Sequence, residues 1–165
     1  MIALAFHYEE YNHSVYSGNP TELQIWRETV KAFGADHMIL IDLHPQKTGR
    51  NYSNPDSDMG YARFDSLDEA VAGTNATWVY LEDPRTLSSR SVPDATMLKD
   101  FVHPADPVVY CVGPDSRGFT VIHQDPRKFV SIETTWTPGP NGRPRTSWSL
   151  GAAAIVLYDR LIKAG

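Results

Sequence analysis

The residues best suited to chemistry lie in a few short segments. In Gly113-Pro114-Asp115-Ser116-Arg117-Gly118, two glycines bracket acidic, hydroxyl and cationic side chains. Glycine lets backbone N–H groups approach a ligand closely and adopts dihedral angles that other residues avoid. The lysine that would follow in a phosphate-cradling P-loop is missing, so taken alone the run reads as a turn. Asp83 and Glu133 follow apolar stretches, where a carboxylate could act as a general base or simply cap a helix or pair with a cation. Arg143 and Arg145 share a Pro/Gly-rich segment, and Arg117 lies in the glycine run. These three arginines are candidates for a phosphate-contacting patch; ordinary solvated loop charge is the alternative. His7, His13, His37, His44, His103 and His123 show neither a His-Glu-x-x-His pattern nor any i, i+4 pair. Only one cysteine, Cys111, is present, so no metal site is expected.

The chain that must position these groups has 165 residues and a net charge of −5. That is one domain's length, long enough to bury a core, and a single domain spanning residues 1–165 is expected. The acidic balance argues against a surface that grips nucleic acid everywhere, while leaving room for a local basic patch. The longest apolar runs, residues 108–112 and 152–158, are too short to cross a bilayer. The opening residues lack the basic flank and cleavage site of a signal peptide. A lone cysteine permits no internal disulfide, which points to the cytoplasm.

Periodicity predicts alternating strands and helices. Residues 2–7, 36–43, 77–81, 107–112 and 129–134 read as strands, mostly continuous apolar runs of the kind covered on both faces. Asn19, Pro20 and Glu22 open a helix in which Leu23, Trp26, Val30 and Phe33 form one stripe, and Gly34 ends it. Residues 44–61, rich in Pro, Gly, Asn and Ser, read as a long loop. Ser66 and Glu69 make a capping box for a short helix over 67–72, and residues 93–102 are a further helix candidate. Leu150, Ala154, Leu157 and Leu161 recur on one face of a final helix capped by Ser147 or Ser149. The fold class is therefore α/β, a mainly parallel sheet with helices on both faces.

The succession V-G-P-D-S-R-G-F, then S-I-E-T-T, then S-L-G-A-A-A-I-V-L-Y resembles the SpoU-like branch of the SPOUT RNA methyltransferases. The segment 64–70 and the helix ending K-A-F-G-A are similar to that family's elements as well, so the resemblance touches most of the chain and is strongest from Val108 onward. It implies a trefoil-knotted C-terminal half, a homodimer, and a bent S-adenosylmethionine held largely by the backbone of three loops. By motif position the cofactor residues would be Leu81, Gly113, Pro114, Gly118, Ile132, Ser149 and Leu150; without the resemblance, Leu81, Ile132 and Leu150 read as core. The substrate would be RNA, at a ribose 2′-hydroxyl of tRNA or rRNA, with Arg117, Arg143 and Arg145 as contacts.

Several positions depart from the family pattern. Asp115 stands for its glutamate, Gly151 for the asparagine of Ser-Leu-Asn, and residues 137–146 are an expansion. The acceptor-side arginine of the first helix would fall at Glu28 by position. At about 100° per residue, however, Arg27 lies roughly 40° from Leu23, at the edge of the buried stripe, with Glu28 on the outer face. Arg27 is thus the catalytic candidate. The functional classes to be separated are an RNA methyltransferase, a relative that binds cofactor or RNA without transfer, and an unrelated nucleoside-processing α/β enzyme using Asp83 or Asp115 as base.

Overall fold

Strands buried on both faces must be apolar at nearly every position, and the central strands here are. All five residues of Val108–Val112 are buried, as are all but the first of His37–Asp42. The computed structural model describes residues 1–8, 22–42, 59–82, 95–114, 119, 127–132 and 149–164. In chain order the elements are β1 (Ile2–Tyr8), α1 (Glu22–Ala32), β2 (His37–Asp42), β3 (Gly60–Phe64), α2 (Leu67–Gly73) and β4 (Thr77–Leu81). There follow β5 (Thr96–Met97) with a 3-10 turn at Leu98–Asp100, then β6 (Val108–Val112), β7 (Phe129–Ser131) and α3 (Ser149–Ala164).

The strands form one seven-stranded sheet in the order β3-β2-β1-β6-β4-β7-β5, and every pairing is parallel. Alternate residues feed two cores. Leu4, Phe6, Tyr110 and Val112 face α1 and α3, which contribute Trp26, Val30, Val156 and Leu157. Ala3, Ala5, Val109 and Cys111 face the other side, where α2 contributes Ala70. Helices thus cover both faces, as expected of a parallel sheet. Trp26 lies flat on Phe6, with ring centroids 4.4 Å apart, fixing α1 to the centre of the sheet.

The stop of α1 and the capping box of α2 hold, whereas Ser149, one of the two serines expected to cap α3, is its first residue and gives its hydroxyl to Gly113 O. Gly34, at φ 86°, ends α1 in the left-handed conformation, with its N–H donating to Lys31 O and that of Ala35 to Val30 O. Ser66 Oγ accepts the Glu69 N–H, and the Glu69 carboxylate accepts that of Asp65. The expected Asn19 and Pro20 start of α1, the 44–58 part of the long loop, and Ser147 lie outside the described residues.

Other expectations need correction. Gly60 and Tyr61, read as the end of the loop, open an edge strand, Gly60–Phe64, parallel to β2. No residue in it is fully buried, so it lacks the apolar density that marks the inner strands. The described part of the helix expected over 93–102, residues 95–102, is not an α-helix: Thr96 and Met97 are extended against Val130 and Ser131, followed by a single 3-10 turn. Pairing with β7, distant in sequence, outweighs the local capping signal there. The β7 strand ends at Ser131, short of the expected Thr134. On α3 the buried residues are Ala153, Val156 and Leu157, and Leu161 is 55% exposed. The inner side of the last turns is instead polar, because Asp159, Arg160 and Lys163 bond to the chain beneath them.

Candidate functional site

In a parallel sheet the loops that leave the carboxyl ends of the strands share one edge and form the natural ligand crevice. The register places Leu81 opposite both Val112 and Val130, so β4, β6 and β7 end side by side. The residues that follow, Glu82, Gly113 and Pro114, and Ser131 with Ile132, therefore line one end of the sheet. The start of α3 reaches the same place: Ser149 Oγ donates to Gly113 O at 3.3 Å. Ile132 and Leu150 pack beside the core cluster that holds Leu81.

The fold thus brings together Leu81, Gly113, Pro114, Ile132, Ser149 and Leu150. Leu81 is 5% exposed, consistent with a core role as well. Arg27 is 8% exposed on α1, while its neighbour Glu28 faces outward, as the helical geometry required. Their side chains form an ion pair at 3.1 Å. Gly118, Asp83, Asp115, Glu133, Arg117, Arg143 and Arg145 lie outside the described residues.

Around this edge stand polar residues that sequence reasoning did not single out. Glu82, the first residue after β4, accepts the Phe119 N–H on its carboxylate at 2.6 Å. Its carbonyl accepts Ser131 Oγ at 2.7 Å. His7, near the end of β1, bonds through Nδ1 to Val112 O at 2.8 Å; a carbonyl only accepts, so Nδ1 carries the proton. Asp42, fully buried at the end of β2, accepts from Arg63 at 3.2 Å. The available signal was positional: each of these polar side chains lies at or beside the end of an otherwise apolar strand.

A second polar cluster lies under the far half of α3. His103 Nε2 donates to Asp159 at 2.8 Å, and since a carboxylate accepts only, Nδ1 is left to accept the Tyr110 hydroxyl at 2.6 Å. Arg160 donates to Tyr110 Oη, to Pro104 O and to Asp106. Burial holds the His103 ring below its ordinary pKa despite the Asp159 partner. Burial likewise raises Tyr110 against the pull of Arg160. Burial would raise Asp159, but hydrogen bonds from Lys163 and His103 outweigh it and hold the carboxylate below its usual range. Cys111 is wholly buried, which pushes its thiol far up and leaves it unreactive. Among the described residues no group of His, Cys, Asp and Glu could hold a metal ion, and no helix is long and apolar enough to cross a membrane.

No family model matches the sequence, and no curated protein matches it significantly. Solved structures do. A Porphyromonas gingivalis protein assigned to the TrmH family of RNA methyltransferases superposes with a TM-score of 0.57 at 12% identity, over 96% of this chain and 58% of its own. An AdoMet-bound rRNA methyltransferase from Sinorhizobium meliloti gives 0.54 at 15% identity, over 98% and 55%. A methylase-family protein from Haemophilus influenzae gives 0.54 at 14% identity, over 96% and 64%. This chain spans 55–64% of the length of these three structures. At such identities the likeness is one of architecture: the chain has the α/β fold that these methyltransferase structures share, in agreement with the resemblance read from its sequence.

Proposed function

We propose that the chain is a single-domain, S-adenosylmethionine-dependent RNA methyltransferase of the SPOUT type, acting on a ribose 2′-hydroxyl of tRNA or rRNA. The observation that carries this reading is the meeting of three strand ends with the start of α3, fastened by Ser149 on Gly113. Superposition on an AdoMet-bound rRNA methyltransferase over nearly the whole chain supports it.

The residues present fit the cofactor. Ile132 and Leu150, partly buried beside Leu81, are apolar side chains suited to a flat base, and Gly113 carries no side chain to hold a ligand off its main chain. When bound, the cofactor supplies an electrophilic methyl group on a sulfonium. The protein's own part is to align that methyl with an acceptor oxygen and exclude water. Arg27 stands on the acceptor side and orients the attacking oxygen, and Arg117, Arg143 and Arg145 hold RNA phosphates, with Gly118 closing the cofactor loop. The insertion of β7 between the earlier strands β4 and β5 fits a chain whose C-terminal half is knotted. The exposed Ile155, Tyr158, Leu161 and Ile162 of α3 form the face of a homodimer, and the protein works in the cytoplasm.

Calorimetric titration with S-adenosylmethionine and S-adenosylhomocysteine tests the site. Micromolar binding is expected, lost in Gly113→Val, whose branched side chain would enter the loop. No binding by the folded wild-type protein would refute the cofactor reading. A second reading, binding without transfer, is favoured by the engagement of Arg27 with Glu28 and by the absence of a side chain at Gly151. Cofactor binding with no methyl transfer to any RNA pool would select it.

A further inference from the structure

We propose that Glu82 is a positioning residue that holds Phe119, which follows the glycine-bracketed segment, in register with the ends of β4 and β7; the inference rests on the cofactor reading given above. Glu82 is bonded in three directions. Its N–H donates to Val130 O at 3.2 Å, its carbonyl accepts Ser131 Oγ at 2.7 Å, and its carboxylate accepts the Phe119 N–H at 2.6 Å. The residue that leaves β4 therefore grips both the end of β7 and the exit of the loop that begins at Gly113.

The entrance of that loop is fixed separately. His7 donates to Val112 O at 2.8 Å and Ser149 to Gly113 O at 3.3 Å. At the exit the Phe119 ring, 3% exposed, packs edge-on against Tyr80 and His7, with centroids 5.5 and 5.6 Å away. The ring anchors the side chain, and the Glu82 carboxylate engages the Phe119 main chain. A bond from an amide to an ionised carboxylate is shorter and stronger than a neutral one, and 2.6 Å is at the short limit. Val112 and Gly113 on one side of the glycine-bracketed segment and Phe119 on the other are thereby held before a ligand arrives, which lowers the ordering cost of binding.

The test compares Glu82→Ala with Glu82→Gln, which keeps an acceptor oxygen and removes the charge. Calorimetry with S-adenosylmethionine and S-adenosylhomocysteine should show E82A weakening both ligands by a similar factor, about ten-fold or more, and E82Q restoring both to within about three-fold of wild type. Amide exchange of Phe119, followed by NMR without ligand, should quicken in E82A and return toward wild type in E82Q. Wild-type affinity in E82A would overturn the proposal. So would an E82Q defect confined to S-adenosylmethionine, which would make Glu82 a reader of the sulfonium charge. If wild type binds neither ligand the cofactor reading fails, and with it the claim that the clasp serves a cofactor; slow Phe119 exchange in E82A would independently disprove the clasp.

Discussion

A strand covered on both faces has little room for a polar side chain except near its ends, and in this sheet those places are filled by His7, Asp42, Glu82 and Ser131. All four make hydrogen bonds at the carboxyl edge, where an unsatisfied polar group would cost about 1–3 kcal/mol. Arg27 belongs to the same scale. It is buried although charged, and it bonds to an outward-facing neighbour. Lysine cannot reproduce the planar fork of a guanidinium, so Arg27→Lys should leave the affinity for S-adenosylmethionine within about two-fold and lower transfer of labelled methyl groups to tRNA or rRNA by about 100-fold. Unchanged turnover would remove Arg27 from the mechanism. The candidate residues legible in the sequence were those that belong to motifs, such as Gly113 and Ser149. Glu82 was not among them, because nothing in E-D-P-R announces that the first carboxylate, not the second, reaches a backbone amide 37 residues away.

At the scale of elements, α3 is fastened by unlike means along its length. Its first half is held by apolar packing of Ala153, Val156 and Leu157, and its second by the His103–Tyr110–Asp159–Arg160 cluster with Lys163 on the carbonyls of Leu98, Lys99 and Phe101. A protonated His103 would have to donate from Nδ1 to a Tyr110 oxygen that already accepts from Arg160, leaving the tyrosine proton without its acceptor. Burial foremost, with this lost hydrogen bond beside it, keeps the ring neutral in the folded state, its pKa below the ordinary value of 6.5. The unfolded chain takes up that proton first, so this contribution to stability is complete above pH 6.5 and declines as the pH falls further. Thermal melts should show the wild type losing stability between pH 7.5 and 5.5, and His103→Gln should flatten that slope while lowering stability at pH 7.5 by about 1–3 kcal/mol. An unchanged slope in the variant would detach the effect from this histidine. Elements were legible in the sequence where a local signal is complete: the apolar runs of β1, β2, β4 and β6, the Ser66 cap, the Gly34 stop. Those set by distant partners were not. The edge strand β3 has no fully buried residue, and the two residues of β5 are extended only because β7 lies beside them.

For the whole molecule, the architecture follows from one rule, that a parallel sheet needs helices on both sides, and the two cores divided by the sheet satisfy it. What the rule leaves open is the outer surface of α3. Ile155, Tyr158, Leu161 and Ile162 are 43–57% exposed, more apolar side chain than a solvated helix face ordinarily shows. In a homodimer built on that face, Leu161→Asp should shift the protein from dimer to monomer in light scattering with its melting temperature as a monomer retained; a wild-type monomer would contradict the assignment. The place of β7 also has a consequence for how the molecule is made. Among the described residues β5 bonds to no strand but β7, so during synthesis Thr96 and Met97 must wait until residues 129–131 have left the ribosome. By then β1, β2, β3, β4 and β6 are already available to pair. The nascent chain has to admit a late strand against the flank of β4.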